Sequence, residues 1–350
     1  MKVLITGGTG FIGSHLAHAH LERGDSVLSL DTASTAKVLD VRSNPAFAGR
    51  FQYVKGSVLD YTLLDGLMRR ADLVYHHAAV VGVEHYVDDP FGVLDVNVNG
   101  TQNVLRAAFH NDTRVVFSST SEIYGKSKDV PFKEYGDRVL GPTAIDRWCY
   151  STSKAAGEHF CFAYGKLGVP VVVVRYFNLY GPKLDKIDRG RVMTIFLGQL
   201  LRGEPITIVN DGRQTRAFTY IDDGVRATMA AGLVDGAVGG IFNIGTDRET
   251  TILELAKAML KEFGRDPEDP KNFVFKKQEE VYGRSYQDID RRVPDVTRMK
   301  TILGVTAKVT LEEGVHRTCD WFKKTENFRE PLSVAALEKK LPPRENAAAG

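Results

Sequence analysis

Cysteine is scarce in this chain. Cys149, Cys161 and Cys319 are the three among 350 residues, too few and too scattered for a disulfide framework or a thiolate metal site. Long apolar runs are missing too: none reaches the roughly 18–20 residues that span a bilayer. Charge of neither sign dominates, with 46 Lys+Arg against 44 Asp+Glu. The broad basic surface of a nucleic-acid binder is therefore absent, although a few arginines can still gather around a phosphate. The opening MKVLITGGTG enters a strand-like run at once, without the layout of a secretory leader. No internal repeat or low-complexity segment stands out. These absences predict a globular cytoplasmic protein with no membrane span, no nucleic-acid partner and no metal.

What is present is a regular alternation. VLIT (3–6), SVLSLD (26–31), FQYV (51–54), DLVYHHA (72–78), RVVFSS (114–119) and VPVVVVRYF (169–177) are short apolar runs rich in β-branched residues. Helix-length segments separate them. Nearly continuous apolar strands between helices predict a parallel sheet covered on both faces, a doubly wound α/β fold. From about Gly181 the texture changes. RVMTIFLGQLLRG (191–203) and TILELAKAMLKEF (251–263) read as amphipathic helices, and ITIVNDG (206–212) as a strand running into a turn. AFTYIDD (217–223) and IFNIG (241–245) read as returns to the main sheet, and 265–293 as charged loop. The expected division is a dinucleotide domain at 1–178, joined by parts of 217–245. A smaller interleaved α/β substrate lobe takes 179–216 and 246–328, and 329–350 forms a tail.

TGGTGFIG (6–13) places Gly7, Gly10 and Gly13 between the first strand and the first helix. Gly7 allows a tight turn, Gly10 lets a pyrophosphate approach the backbone, and Gly13 lets helix and strand pack closely. The helix N-terminus adds N–H donors and partial positive charge. Asp31 closes the second strand, where a carboxylate accepts from ribose hydroxyls and repels a 2′-phosphate. NAD is thus expected over NADP. Lys37 falls a few residues too late to count as a phosphate reader.

YSTSK (150–154) sets Tyr150 and Lys154 four apart on one helical face. A free phenol, with a pKa of about 10, is a poor base at neutral pH. An adjacent ammonium and a charged nicotinamide both favour the phenolate. VVFSSTSEIYG (115–125) ends a buried strand in Thr120, Ser121 and Glu122. Hydroxyls there are placed to meet a substrate hydroxyl losing its hydride, and the carboxylate adds acid–base capacity beyond a plain oxidation.

Together these segments resemble the extended short-chain dehydrogenase/reductase family of nucleotide-sugar enzymes. NVNGTQNVL (97–105), RYFNLYGP (175–182) and QTRAFTYIDD (214–223) extend the likeness over nearly the whole chain. TSE and EVYGRSYQDIDRRVPD (280–295) are most similar to the UDP-glucuronate decarboxylases. The resemblance implies a Rossmann-like fold and an active site of Thr120, Ser121, Glu122, Tyr150, Lys154 and Arg292. It implies NAD contacts from Phe11, Ile12, Thr32, Val58, Ala78 and Ala79 besides the glycines, Asp31, Tyr150 and Lys154. Asn178, Arg191, Arg216, Tyr282 and Arg292 are implied for the sugar nucleotide, where arginine suits phosphate and carboxylate through paired contacts. A homodimer built on segments near 92–110 and 150–167 is implied as well.

Some positions depart from the family pattern. Ser57 stands where an Asp near the adenine is usual, His77 where a Leu is usual, and Ser121 replaces the Asp of the dehydratases' Asp–Glu pair. The expected chemistry is oxidation of UDP-glucuronate at C4 followed by loss of its carboxylate, ending in UDP-xylose or the 4-keto pentose. A 4-epimerase, a 4,6-dehydratase and a non-catalytic NAD or sugar-nucleotide sensor are the competing readings. The nucleotide base, UDP, dTDP or GDP, stays open.

Overall fold

The computed structural model describes residues 1–325 apart from Thr35, Lys186, Arg189 and 283–288. The tail expected at 329–350 lies outside the described residues. The first half runs β1 (Lys2–Thr6), α1 (Phe11–Glu22), β2 (Ser26–Asp31), β3 (Phe51–Lys55), α2 (Tyr61–Met68) and β4 (Leu73–His76). It continues with α3 (Gly100–His110), β5 (Arg114–Thr120), α4 (Arg147–Lys166) and β6 (Val171–Tyr176). The second half adds β7 (Leu179–Tyr180), α5 (Val192–Leu201), β8 (Ile206–Val209), β9 (Thr215–Arg216), β10 (Thr219–Tyr220) and α6 (Ile221–Leu233). β11 (Ile241–Ile244), β12 (Thr250–Thr251), α7 (Ile252–Glu262), β13 (Phe273–Lys276), β14 (Arg291–Arg292) and α8 (Leu311–Lys324) follow.

Seven strands form one sheet in the order β11-β6-β5-β4-β1-β2-β3, every pair parallel. This is the doubly wound fold expected from the alternation. The apolar runs explain themselves once both faces are covered. Val3 and Ile5 join a cluster with Leu16 and Leu21 of α1 and Ala227 and Ala231 of α6. Leu4 faces the other way, toward Leu64 of α2 and Val104 of α3. Val172 and Val174 likewise take the first face, Val171 and Val173 the second. Each fully buried Val or Leu contributes about 1.5–3 kcal/mol, and buried polar residues of these strands such as Thr6, His76 and Arg175 are hydrogen-bonded. The order reverses between β1 and β4, and ligands of such sheets bind at that crevice, beyond the carboxyl ends of the strands.

Two expectations need correction. Residues 217–223 add no strand to the main sheet. Thr219–Tyr220 pairs only with β7, and Ile221 already begins α6. The apolar and aromatic residues of that segment pack against Leu179 and Tyr180 rather than entering the sheet. Nor is 265–293 all loop: β13 pairs in parallel with β8, and β14 with β9. Such two- to four-residue ladders are held by distant partners and leave little periodicity to read. The helix at 252–262 is announced locally, because Thr251 and Glu254 form a reciprocal capping box. Among the described residues no helix is long and apolar enough to cross a membrane.

Candidate active site

The β1–α1 loop is shaped around its glycines. Gly7 has a φ of +72°, and a Cβ there would lie 2.7 Å from the backbone N of Ala78. A Cβ on Gly13 would lie 2.3 Å from the Gly7 carbonyl oxygen. Gly10 begins α1 with no side-chain cap, so the first-turn amides are not taken up by a capping side chain. At the end of β2, Asp31 accepts from the amides of Thr9 (3.0 Å) and Ala33 (2.9 Å), which fixes its carboxylate beside the loop. Thr32 follows it on the surface. Val58 is buried, its methyl occupying the space a Cβ on Gly100 would need. The Ala78 amide donates to Thr6 Oγ1 at 3.3 Å. A Gly13→Val protein is expected to displace the β1–α1 loop and to lose NAD affinity by about tenfold or more, some 1.4 kcal/mol. Fluorescence titration of bound NADH checks this.

Tyr150 and Lys154 lie on the buried face of α4 as expected. The Tyr150 hydroxyl lies near Thr120, whose Oγ1 accepts from the Glu122 amide at 3.2 Å. Burial, and then the Glu122 charge, push the Tyr150 phenol above its ordinary range, while Arg191 and Thr120 pull it back. Lys154 Nζ donates to the Ser118 carbonyl at 2.8 Å, and burial draws the ammonium down to about 8. Lys154 is therefore anchored to strand β5, and the cation acting on the phenol in the free protein is Arg191.

Glu122 is the electrostatic centre. Its Oε1 accepts from Arg292 Nη1 at 2.7 Å, and its Oε2 faces Arg147 Nη2 at 3.4 Å. β14 pairs in register with β9, setting Arg292 opposite Arg216, and Arg216 also acts on the carboxylate. Burial opposes charge on Glu122, but Arg292 and Arg147 outweigh it and hold the group at about 2. The sign follows from linkage. A lowered folded-state pKa stabilises above the unfolded value and is lost as pH falls toward 2. The contribution at neutral pH is on the order of 3 kcal/mol. A Glu122→Gln protein is thus expected to show a flatter loss of stability between about pH 4.5 and 2, measured by urea unfolding at stepped pH.

The remaining candidates divide. Arg191 donates to the Leu179 carbonyl at 3.1 Å, pairs with Asp185 at 3.1 Å and sits over the Phe11 ring. That places it where the dinucleotide loop meets the second half of the chain. Asn178 has a φ of +29°, and its buried Oδ1 has no partner among the described residues. Ile12 packs at the edge of the core. Ser121 is buried in the turn after β5. The side chain of Tyr282 lies outside the described residues. Lys37 is half-buried among the charges of Asp185, Arg191 and Asp31, closer to the site than its sequence position promised. His77 is a packed histidine between Tyr75 and Tyr176, and burial holds it near 3. Ser57 Oγ accepts from the Leu59 amide.

Three residues escaped the sequence reading. Arg147 lies three before Tyr150, a helical spacing that offered a signal. Tyr86 stacks on Tyr150 with ring centroids 5.0 Å apart and planes 11° from parallel; nothing local announces it. Asn97, inside NVNGT, bonds both backbone groups of Val80 and the Ser153 hydroxyl. It thereby ties the loop after β4 to α4.

Residues 3–245 match the description "NAD dependent epimerase/dehydratase family". The chain belongs to this family. It is an enzyme, and NAD is its cofactor, which fits a loop where added Cβ atoms collide and a fixed Asp31 carboxylate at the end of β2. The chain is 36% identical over 327 residues to a UDP-N-acetyl-alpha-D-glucosaminuronate decarboxylase of Bacillus cytotoxicus, covering 93% of this chain and 99% of that one. It is 35% identical to UDP-glucuronic acid decarboxylase 2 of Arabidopsis thaliana, covering 90% of this chain and 66% of that one. The solved UDP-glucuronic acid 4-epimerase of Bacillus cereus, in complex with UDP-glucuronic acid and NAD, is 30% identical. It superimposes with a TM-score of 0.77 over 93% of this chain and 99% of its own.

Proposed function

We propose that the enzyme oxidises UDP-glucuronate at C4 and then releases its carboxylate as carbon dioxide. The observation that carries this reading is the ionised Glu122 held by Arg292 and Arg147, next to Tyr150 and Thr120. Tyr150 accepts the C4 hydroxyl proton, with Thr120 beside the phenol. Bound NAD supplies the acceptor for the C4 hydride. The sugar is then a β-keto acid, so its C5–carboxylate bond breaks with the electron pair moving toward the C4 oxygen, where the protonated Tyr150 donates a hydrogen bond. Arg292 orients the departing carboxylate; its Nε has no partner among the described residues. Glu122, held ionised by Arg292 and Arg147, orders the water through which C5 is protonated. Reduction of C4 would give UDP-xylose; release before reduction would give the 4-keto pentose.

Residues 1–178 with parts of 217–245 would hold NAD, and 179–216 with 246–328 the sugar nucleotide. Asn178, Arg191 and Arg216 would meet its diphosphate or sugar. A cytoplasmic homodimer completes the reading. Phe91 and Phe109 expose apolar surface beside α3 and α4, and light scattering in solution tests the dimer.

Two alternatives have specific support. The B. cytotoxicus relative carries a 2-acetamido sugar in its name, and C2 takes no part in the chemistry above. The B. cereus neighbour is a 4-epimerase with UDP-glucuronic acid bound. Incubating the enzyme and NAD with UDP-glucuronate, and in parallel with its 2-acetamido analogue, separates them by mass spectrometry. A product lighter by one carbon dioxide supports the decarboxylase and names the sugar. An isomer of unchanged mass overturns it in favour of the epimerase.

A further inference from the structure

The main sheet ends at β11, and the backbone along its outer edge needs partners from outside the sheet. The Ile241 carbonyl accepts from Arg298 Nε at 3.0 Å, and the Asn243 amide N–H donates to Glu134 Oε1 at 3.0 Å. Asn243 is 0% exposed, and the chemistry above leaves it unused. Its side-chain Nδ2 donates to the Phe132 carbonyl at 2.8 Å and to the Asp295 carbonyl at 3.2 Å. Its Oδ1 accepts from Tyr124 Oη at 2.7 Å. Tyr124 Oη itself accepts from Arg175 Nη1 at 2.9 Å, so its own proton goes to Asn243. These partners fix which way the amide points. Arg175 is held in turn by Glu158, at 2.8 Å from Nε and 2.6 Å from Nη2.

The two sides of this amide lead to the two halves of one ion pair. Tyr124 closes the turn Ser121–Tyr124 that carries Glu122. Asp295 lies three residues beyond Arg292. Phe132 stands between them. Its ring stacks on Tyr124 with centroids 4.6 Å apart and planes 9° from parallel. Its amide donates to the Val293 carbonyl, and its carbonyl accepts from the Asp295 amide, both at 2.8 Å. We propose that Asn243 is a positioning residue, a joint tying the turn that bears Glu122 to the segment that bears Arg292. On its other side Arg292 is held only by the two-residue ladder of β14 with β9 among the described strands. The joint therefore sets where the guanidinium stands when the sugar carboxylate departs. Precision matters there, since a misplacement of about 1 Å costs on the order of 10²-fold in rate. What Arg292 does rests on the decarboxylase reading; where it sits rests on the hydrogen bonds alone.

The test is a single turnover of the whole Asn243→Ala enzyme with NAD and UDP-glucuronate carrying a ¹⁴C carboxylate. NADH absorbance reads the oxidation, and released ¹⁴CO₂ reads the loss of the carboxylate. NADH is expected to form near the wild-type rate and then persist, with release of carbon dioxide slowed by about tenfold or more. Tyr124→Phe removes the same joint from its other side and keeps the stack on Phe132. It should fold even where Asn243→Ala does not, and slow release several-fold with the same selectivity. A merely structural role would slow both steps together. Crystal structures of the variants give a second readout, in which the 2.7 Å contact of Arg292 with Glu122 is expected to open. Both steps slowed alike, or neither slowed, in the folded variants overturns the proposal, as does an unmoved ion pair. An opened pair in an enzyme whose wild type releases no carbon dioxide, from UDP-glucuronate or its 2-acetamido analogue, would sink the reaction instead and leave the joint standing.

Discussion

A Tyr150→Phe enzyme is expected to bind NAD as the wild type does and to turn over ~10²–10⁴-fold more slowly, the range a positioned acid–base group supplies. The fold should survive the change. The ring keeps its stack on Tyr86, and removing the hydroxyl leaves that packing unchanged. The phenol begins far from its working state, raised by burial and by the Glu122 charge. Positive charge is therefore what makes it a base, and Arg191 supplies part of that in the free protein. Neutralising Arg191 should then move the acid limb of the kcat profile to higher pH. Stopped-flow absorbance of NADH during a single turnover checks the first result directly. A Tyr150→Phe enzyme that formed NADH at the wild-type rate would remove the phenol from the reaction and assign the C4 hydroxyl proton to another base.

How much of this was legible in the sequence depends on how local each determinant is. Gly7, Gly10 and Gly13 act within one turn, and Tyr150 and Lys154 within one helical face, so their spacing, taken together with the neighbouring strands, points to them. Arg147, Tyr150, Lys154, Glu158 and Cys161 form one buried stripe along α4, at intervals that a helix brings into line. That stripe was readable in principle, yet charged residues on an amphipathic helix ordinarily face water, which hid Arg147 and Glu158. Arg292 and Arg216 came from likeness to a family, because the register that sets β14 against β9 joins segments far apart in the chain. Tyr86 reaches Tyr150 only through a tertiary stack, and no periodicity encodes such a contact. The misreading of 217–223 has the same root. A two-residue ladder followed by an apolar helix start looks, in sequence, like a buried strand.

Arg292→Met is expected to lower kcat by about 10²–10³-fold, the scale of removing one preorganised charge-stabilising donor, and to raise KM for UDP-glucuronate. Met keeps much of the length and none of the charge. Glu122 would lose its 2.7 Å partner and retain Arg147 at 3.4 Å, so its pKa should climb from about 2 toward the ordinary range. Leaving a buried charge without its main partner destabilises a protein by about 3–5 kcal/mol, less here in so far as Glu122 protonates. Lost structure would lower activity as well, so the comparison must separate the two. In Glu122→Gln with Arg292→Met both charges of that pair are gone, and stability is expected to recover part of the way toward wild type, since Arg147 also loses its Glu122 carboxylate. Activity is expected to stay low, because the group that orients the departing carboxylate is still missing. Recovery of both stability and decarboxylation in the double variant would show that Arg292 serves only to satisfy Glu122. Recovery of stability alone would show that activity needs the charged Glu122 and Arg292 themselves and not only an intact fold.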